Sequence, residues 1–374
     1  MLTNYKNSRN YYWVIVAVDS EKSKKIIDSA LQLGVAHVFI GKGRGVLRKN
    51  KIGFVTVPSV SPLYDVLNLL VPKENLNLVM RTLIHEGHLN HFGAGSIYAT
   101  RIQEVWYSNT ELFSDINVTD NVVIDVEMQK DLIAINCVCQ LNHAEEIAQG
   151  AMLAGSASPT VSFGYGHGIR DMLGFFLQLT INPKKEFIEL VVGAAEAERI
   201  FEIMVSHGHL DKPAMGFISM RPVEIGLINM MSYQNNSEYP ATMEQIIKAI
   251  DQLQGNTKWR SSGTIKTIHT PTRKKLLNLV SLNCIVNRGF GDICSMAAME
   301  AGAGGTSTCF ANAVPIAKHA SSLDGSDERE IINMTIPENA VKPVIDAMVS
   351  LKELEGTPVV LYTCPAPKAL TYLP

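Results

Sequence analysis

The chain has 374 residues, which at about 150 residues per domain implies two or three domains. Lys plus Arg total 33 and Asp plus Glu 36, a formal charge of -3 that weighs against a nucleic-acid or other general polyanion binder. Charged residues make up 18% and hydrophobic ones 46%, the balance of a globular chain with a large core rather than a disordered one.

In chain order, Met1 to Asn10 is polar, without the apolar stretch of a secretory leader. The apolar run Trp13 to Val18 then predicts a strand, and Glu21 to Leu33 a helix ending at Gly34. A second strand is expected over Ala36 to Ile40, a polar loop after it, and a third strand over Tyr64 to Val71 before Pro72. A second helix, Glu74 to Glu86, leads into Gly87-His-Leu, and a last strand runs from Ser96 to Ile102.

The same order recurs twice, and such recurrence decides a fold before any motif does. The second copy reads Leu132 to Val138, His143 to Ala154 with Gly155, Thr160 to Phe163, Phe175 to Ile181, Ala194 to His207 and Gly216 to Val223. The third reads Leu276 to Val286, Ile293 to Ala301 with Gly302, Thr306 to Phe310, Glu330 to Ile336, Ala340 to Leu351 and Pro358 to Cys364. Strand–helix–strand, twice per copy, predicts an α+β fold: three ferredoxin-like (βαββαβ) units. Each would bury one sheet face and need a partner for the other, hence an intramolecular pseudo-trimer. The units are placed at 11–106, 131–229 and 273–374, with linkers at 107–130 and 230–272, the latter holding an amphipathic stretch from Ala241 to Leu253.

No run approaches the ~18 apolar residues of a membrane span. The six cysteines lack paired zinc spacing and read as reduced core residues of a cytoplasmic protein. Cys137 and Cys139 alternate on one strand and share a face. His85, His88 and His91 surround a helix end, where they either complement the helix dipole or offer a metal an incomplete ligand set.

The chemistry concentrates after the second strands. Gly43-Arg44-Gly45 combines a backbone free of Cβ with a guanidinium able to grip a phosphate. Gly93 and Gly95 would add a second backbone wall, and Lys42, Arg48, Lys49 and Lys51 surround the first loop with positive charge. The plain alternative is a mobile hairpin with solvated charges. In the second copy Gly164, Gly166 and Gly168 alternate with Tyr165 and His167, which would stack on or hydrogen-bond a base or sugar, with Lys212 a candidate cation. Tyr165 packing on the loop base is the alternative there. The third copy has Ala311-Asn312-Ala313 instead. No Gly-Lys-Ser/Thr is present, which disfavours Walker-type hydrolysis.

The repeats resemble the PII signalling family in its broader PII-like branch. The likeness rests on Gly34-Val-Ala-His-Val-Phe-Ile-Gly-Lys-Gly43-Arg44-Gly45, on the offset of nine positions from Gly34 to Gly43, Gly155 to Gly164 and Gly302 to Ala311, and on Gly93-Ala-Gly95-Ser-Ile. The stretch Ile181-Asn-Pro-Lys-Lys-Glu-Phe-Ile-Glu-Leu-Val-Val also looks like the family's third-strand region. Ser96 departs from the family, standing where it has a nucleotide-binding Lys, and no tyrosine motif for uridylylation is visible. The resemblance implies a non-catalytic sensor of an adenine nucleotide (ATP, ADP or AMP) bound in clefts between units. Its T loops would contact a target protein of nitrogen or carbon metabolism. The alternatives are a scaffold with degenerate nucleotide sites, a CutA-like metal-binding module or, third, an enzyme on the same fold.

Overall fold

A computed structural model describes residues 11–35, 37–46, 51–52, 55–56, 62–91, 94–107, 126–168, 183–228, 250–251, 253, 273–314 and 327–372. Strand β1 (Tyr11–Asp19) enters helix α1 (Ser20–Gln32), followed by β2 (His37–Gly45), the short pair β3 (Lys51–Ile52) and β4 (Val55–Thr56), and β5 (Leu63–Pro72). Helix α2 (Leu76–Gly87), β6 (Gly95–Arg101) and β7 (Glu104–Tyr107) complete the first stretch. The second holds β8 (Leu132–Gln140), α3 (Ala144–Leu153), β9 (Thr160–Gly168), β10 (Lys184–Gly193), α4 (Ala194–Gly208), β11 (Gly216–Val223) and β12 (Ile225–Leu227). The third holds β13 (Leu276–Asn287), α5 (Gly291–Glu300), β14 (Gly305–Ala313), β15 (Glu328–Pro337), α6 (Glu338–Val349) and β16 (Val360–Thr371).

Local signals account for these elements. The first strand is apolar at nearly every position because both of its faces are covered. Asp19 caps α1, its Oδ1 accepting the Glu21 amide at 2.9 Å. The chain leaves α1, α3 and α5 through Gly34, Gly155 and Gly302, with φ of 74°, 97° and 111°. After α2 and α4 the left-handed residue is the histidine rather than the glycine before it, His88 at 52° and His209 at 49°.

The strands do not form three separate sheets. Apart from the separate β3–β4 pair, they join one 14-stranded sheet in the order β10-β8-β11-β16-β13-β15-β14-β9-β2-β5-β1-β6-β12, with β7 beside β16. Further pairings β10–β9 and β14–β2 close part of it into an antiparallel barrel of nine strands. The expected α+β molecule of three ferredoxin-like units, held as an intramolecular pseudo-trimer, is thereby corrected: the protein is mostly sheet, a closed barrel carrying six helices among the described residues. The physical reason lies in the strand edges. A free-standing four-stranded unit leaves two open edges. Here the second strands run on past their expected ends and pair across repeats: Arg44 with Val161, Thr308 with Tyr165 and Ala313 with Phe39. On the other side β11 pairs with β16 and β6 with β12.

The core follows the same logic. Helices α1 and α2 cover one apolar layer, including Val14, Leu67 and Val79. The other two pairs of helices cover layers around Ile147 and Phe201, and around Leu282 and Val344. A fourth core lies inside and draws on all three stretches, with Trp13, Phe39, Tyr98, Ala134, Val191, Ile285, Ile331 and Tyr362. Trp13 stacks on Tyr362 with ring centroids 4.2 Å apart. This shared interior adds to the three helix-covered layers and ties the repeats together.

In the second copy the strand paired beside β8 and β9 is Lys184–Gly193, overlapping the stretch 181–192 that the family likeness singled out. The expected strand Phe175 to Ile181, and most of Ala241–Leu253, lie outside the described residues. Among the described residues no helix is long and apolar enough to cross a membrane.

Candidate functional site at the repeat junctions

The three second strands meet where the repeats join. The end of β2 pairs with the start of β9 (Gly43 with Ser162), the end of β9 with the start of β14 (Gly168 with Gly305), and the end of β14 with the start of β2 (Asn312 with Ile40). Gly43, Arg44 and Gly45 are therefore strand residues, where the sequence suggested an open loop. The Gly45 amide donates to the Pro62 carbonyl at 2.9 Å and the Gly166 amide to that of Pro183 at 2.9 Å. Gly164 sits so close to the Thr308 carbonyl and the Phe187 ring that a Cβ would overlap both. These glycines serve the strand crossings.

Arg44 points outward onto the second repeat. Its Nη1 lies 3.1 Å from Glu145 Oε2, and its Nη2 is 3.8 Å from Glu186 Oε1. Both the guanidinium and Glu145 keep partial solvent contact, whereas Glu186 is buried. At the next junction His167 Nε2 lies 3.2 Å from Asp292 Oδ1. Glu145 and Asp292 are each the second residue of the helix that opens their repeat. A group from one repeat's second strand thus meets the first helix of the following repeat at both junctions. Tyr165 occupies Arg44's place in the second repeat, its ring edge-on to Phe310 at 5.6 Å, with the Arg288 guanidinium 4.7 Å from the Phe310 centroid.

Sequence reasoning missed an acidic trio at these helix starts: Asp65, Glu186 and Glu330, each the third residue of its strand. Glu186 Oε2 accepts the Ala144 amide at 2.9 Å. Glu330 Oε2 accepts the amides of Gly289 and Gly291 at 3.2 and 2.5 Å. Asp65 Oδ1 accepts from Ser20 Oγ at 2.8 Å and from Lys42 Nζ at 2.6 Å. Burial alone would raise the Asp65 carboxyl, but hydrogen bonds from Lys42, Ser23 and Ser20 together hold it below its ordinary range. Helix N-termini, ready sites for anions, are here filled by the protein's own carboxylates. Aligning the three third strands on their shared offset would have revealed the trio.

The remaining candidates scatter. Lys42 is committed to Asp65. Gly95 opens β6, packed against the Ala17 carbonyl, and Ser96 lines an interior cavity rather than a junction. The Lys51 backbone pairs with Thr56 in the β3–β4 hairpin. Arg48, Lys49 and Gly93 lie outside the described residues. Lys212 is exposed in the turn after α4. His88 and His91 stack at 5.6 Å, and His85 Nδ1 lies 3.2 Å from Glu86. Among the described residues no group of three His, Cys, Asp or Glu side chains converges as a metal site would need. Cys137 and Cys139 share the core layer beneath α3 and α4.

The interior cavity measures about 30 Å³ and lies between β1 and β6 of the first repeat and β9 and β10 of the second. It has room for a water molecule or two, whereas a small-molecule pocket needs several hundred Å³ (~300 or more). This cavity is too small for a nucleotide. No protein-family model matches the chain, and no curated protein matches its sequence.

Proposed function

We propose that the chain is a PII-like signalling protein of the cytoplasm that senses an adenine nucleotide at the junction of its first and second repeats. Bound nucleotide would be relayed through the segment after β2 to a target protein of nitrogen or carbon metabolism. The observation that carries this reading is Arg44, a partly exposed guanidinium at the last paired residues before that segment, held by Glu145 and Glu186 of the next repeat. A phosphate would compete with those carboxylates for the guanidinium and could engage both nitrogens at once, whereas each carboxylate meets only one. Exchange of Arg44 from carboxylate to phosphate would free the start of α3 and reset the strand end, an order–disorder switch driven by differential binding. Binding and relay are all this requires. No covalent step is involved.

The test is calorimetric titration of the full chain with ATP, ADP and AMP. Saturable binding is expected, and Arg44→Ala should weaken it by about 10- to 100-fold, the worth of one charged hydrogen-bonding group. Unchanged affinity in Arg44→Ala would remove this junction from the account.

A second reading, a scaffold with degenerate nucleotide sites, is favoured by the glycines at the crossings and by Ser96 facing inward. It predicts no binding heat and no shift in melting temperature with any of the three nucleotides.

A further inference from the structure

Inside the barrel, one face of β10 carries a carboxylate where the other third strands carry amides. Glu189, Asn68 and Asn333 are each the sixth residue of their strand. The amides have partners: Asn68 Oδ1 accepts from Trp13 Nε1 at 3.3 Å, and Asn333 Nδ2 donates to the Ile331 carbonyl at 3.4 Å. Glu189 Oε1 has none among the described residues and is fully buried, although the residue as a whole is only partly buried. It borders the 30 Å³ cavity, which the Tyr98 side chain also lines; Tyr98 is 3% exposed and its hydroxyl is likewise buried and unpartnered. Ser96, Ser158, Thr160 and Ser162 complete the polar wall.

The charge around Glu189 is sparse. From β11 comes Arg221, whose Nη2 donates to Asn136 Oδ1 at 3.0 Å. The other titratable groups near it are Tyr98 on β6, Cys309 on β14 and Tyr362 on β16, with Cys364 beside Arg221. Burial pushes both thiols up to about 12, so neither supplies a charge. No cation lies within ion-pair distance of Glu189 among the described residues, and an unpaired buried carboxylate is costly.

We propose that Glu189 and this cavity form an internal proton-binding site on the seam between the first and second repeats, where loss of the proton loosens the seam. The neutral acid suits the wall of hydroxyls, since it both donates and accepts. Ionisation would place a charge in the void and draw water toward it. Burial raises the Glu189 carboxyl, with Arg221 opposing. A carboxyl raised on folding binds more protons in the native state. Its stabilisation is complete below the unfolded carboxyl's pKa and is lost as pH rises through the folded one. The seam is the one that Arg44 pins from outside through Glu186, three residues earlier on β10.

Infrared difference spectroscopy of the full chain tests this directly. A protonated-carboxyl C=O band should persist above the pH at which ordinary glutamates ionise, be absent in Glu189→Gln, and be shifted in Tyr98→Phe. As pH rises above the range in which ordinary glutamates ionise, the melting temperature of the wild type should fall relative to that of Glu189→Gln. If either variant fails to fold, the wild-type band and its loss on raising the pH still decide. Absence of the band, or parallel melting profiles, would mean an ionised Glu189 paired with Arg221 and would overturn the proposal.

Discussion

Trp13→Ala is expected to lower stability by about 3–5 kcal/mol, the cost of emptying a fully buried aromatic site. Trp13 is 1% exposed and belongs to β1, yet its closest ring partner is Tyr362 on β16, near the far end of the chain. It also stacks more loosely on Phe39 at 6.2 Å and donates from Nε1 to Asn68. The substitution removes the packing and leaves the Asn68 carbonyl without its donor inside the barrel. Denaturant unfolding checks it: the midpoint should fall with little change in slope. A loss near 1 kcal/mol or less would mean that the first and third repeats do not share a core.

Gly164→Ala should be nearly as damaging, roughly 3 kcal/mol, the upper part of the overpacking range. The new methyl group would meet the Thr308 carbonyl of the neighbouring β14, and Phe187 Cε2 at 2.8 Å, and a backbone oxygen in a paired strand cannot swing aside. Gly168→Ala, four residues along the same strand, is the control: a Cβ there meets nothing within 4 Å. If these glycines were present chiefly to cradle phosphate, both changes would leave the free protein's stability alone and reduce only nucleotide affinity. A large difference in melting temperature between the two variants, measured without ligand, assigns Gly164 to barrel closure.

The strands and helices were largely legible because their signals are local. The apolar run of β1, the Asp19 cap and the glycines after α1, α3 and α5 need no knowledge of distant residues. Closure left no such mark. Gly43-Arg44-Gly45 is polar and glycine-rich, so it reads as a loop; it is a strand because Val161, more than a hundred residues away, supplies its partner. In the second repeat the more apolar Phe175–Ile181 drew the strand assignment away from Lys184–Gly193, whose lysines face its open end. The site was legible in part. Arg44 and His167 do reach the following repeat, but the carboxylates that receive them, Glu145, Glu186 and Asp292, carry no motif. Glu189 was missed because a charged residue in a strand that also carries Lys184, Lys185 and Glu186 resembles another solvent-facing position.

Hydrogen exchange at the three strand crossings tests barrel closure most directly. The amides of 43–44, 164–165 and 307–309 should be protected to a degree approaching that of the central strands β1, β8 and β13, because both of their edges are paired. Exchange of these segments as fast as in an unfolded peptide, with the central strands still protected, would contradict a closed sheet and return the glycine-rich stretches to open loops.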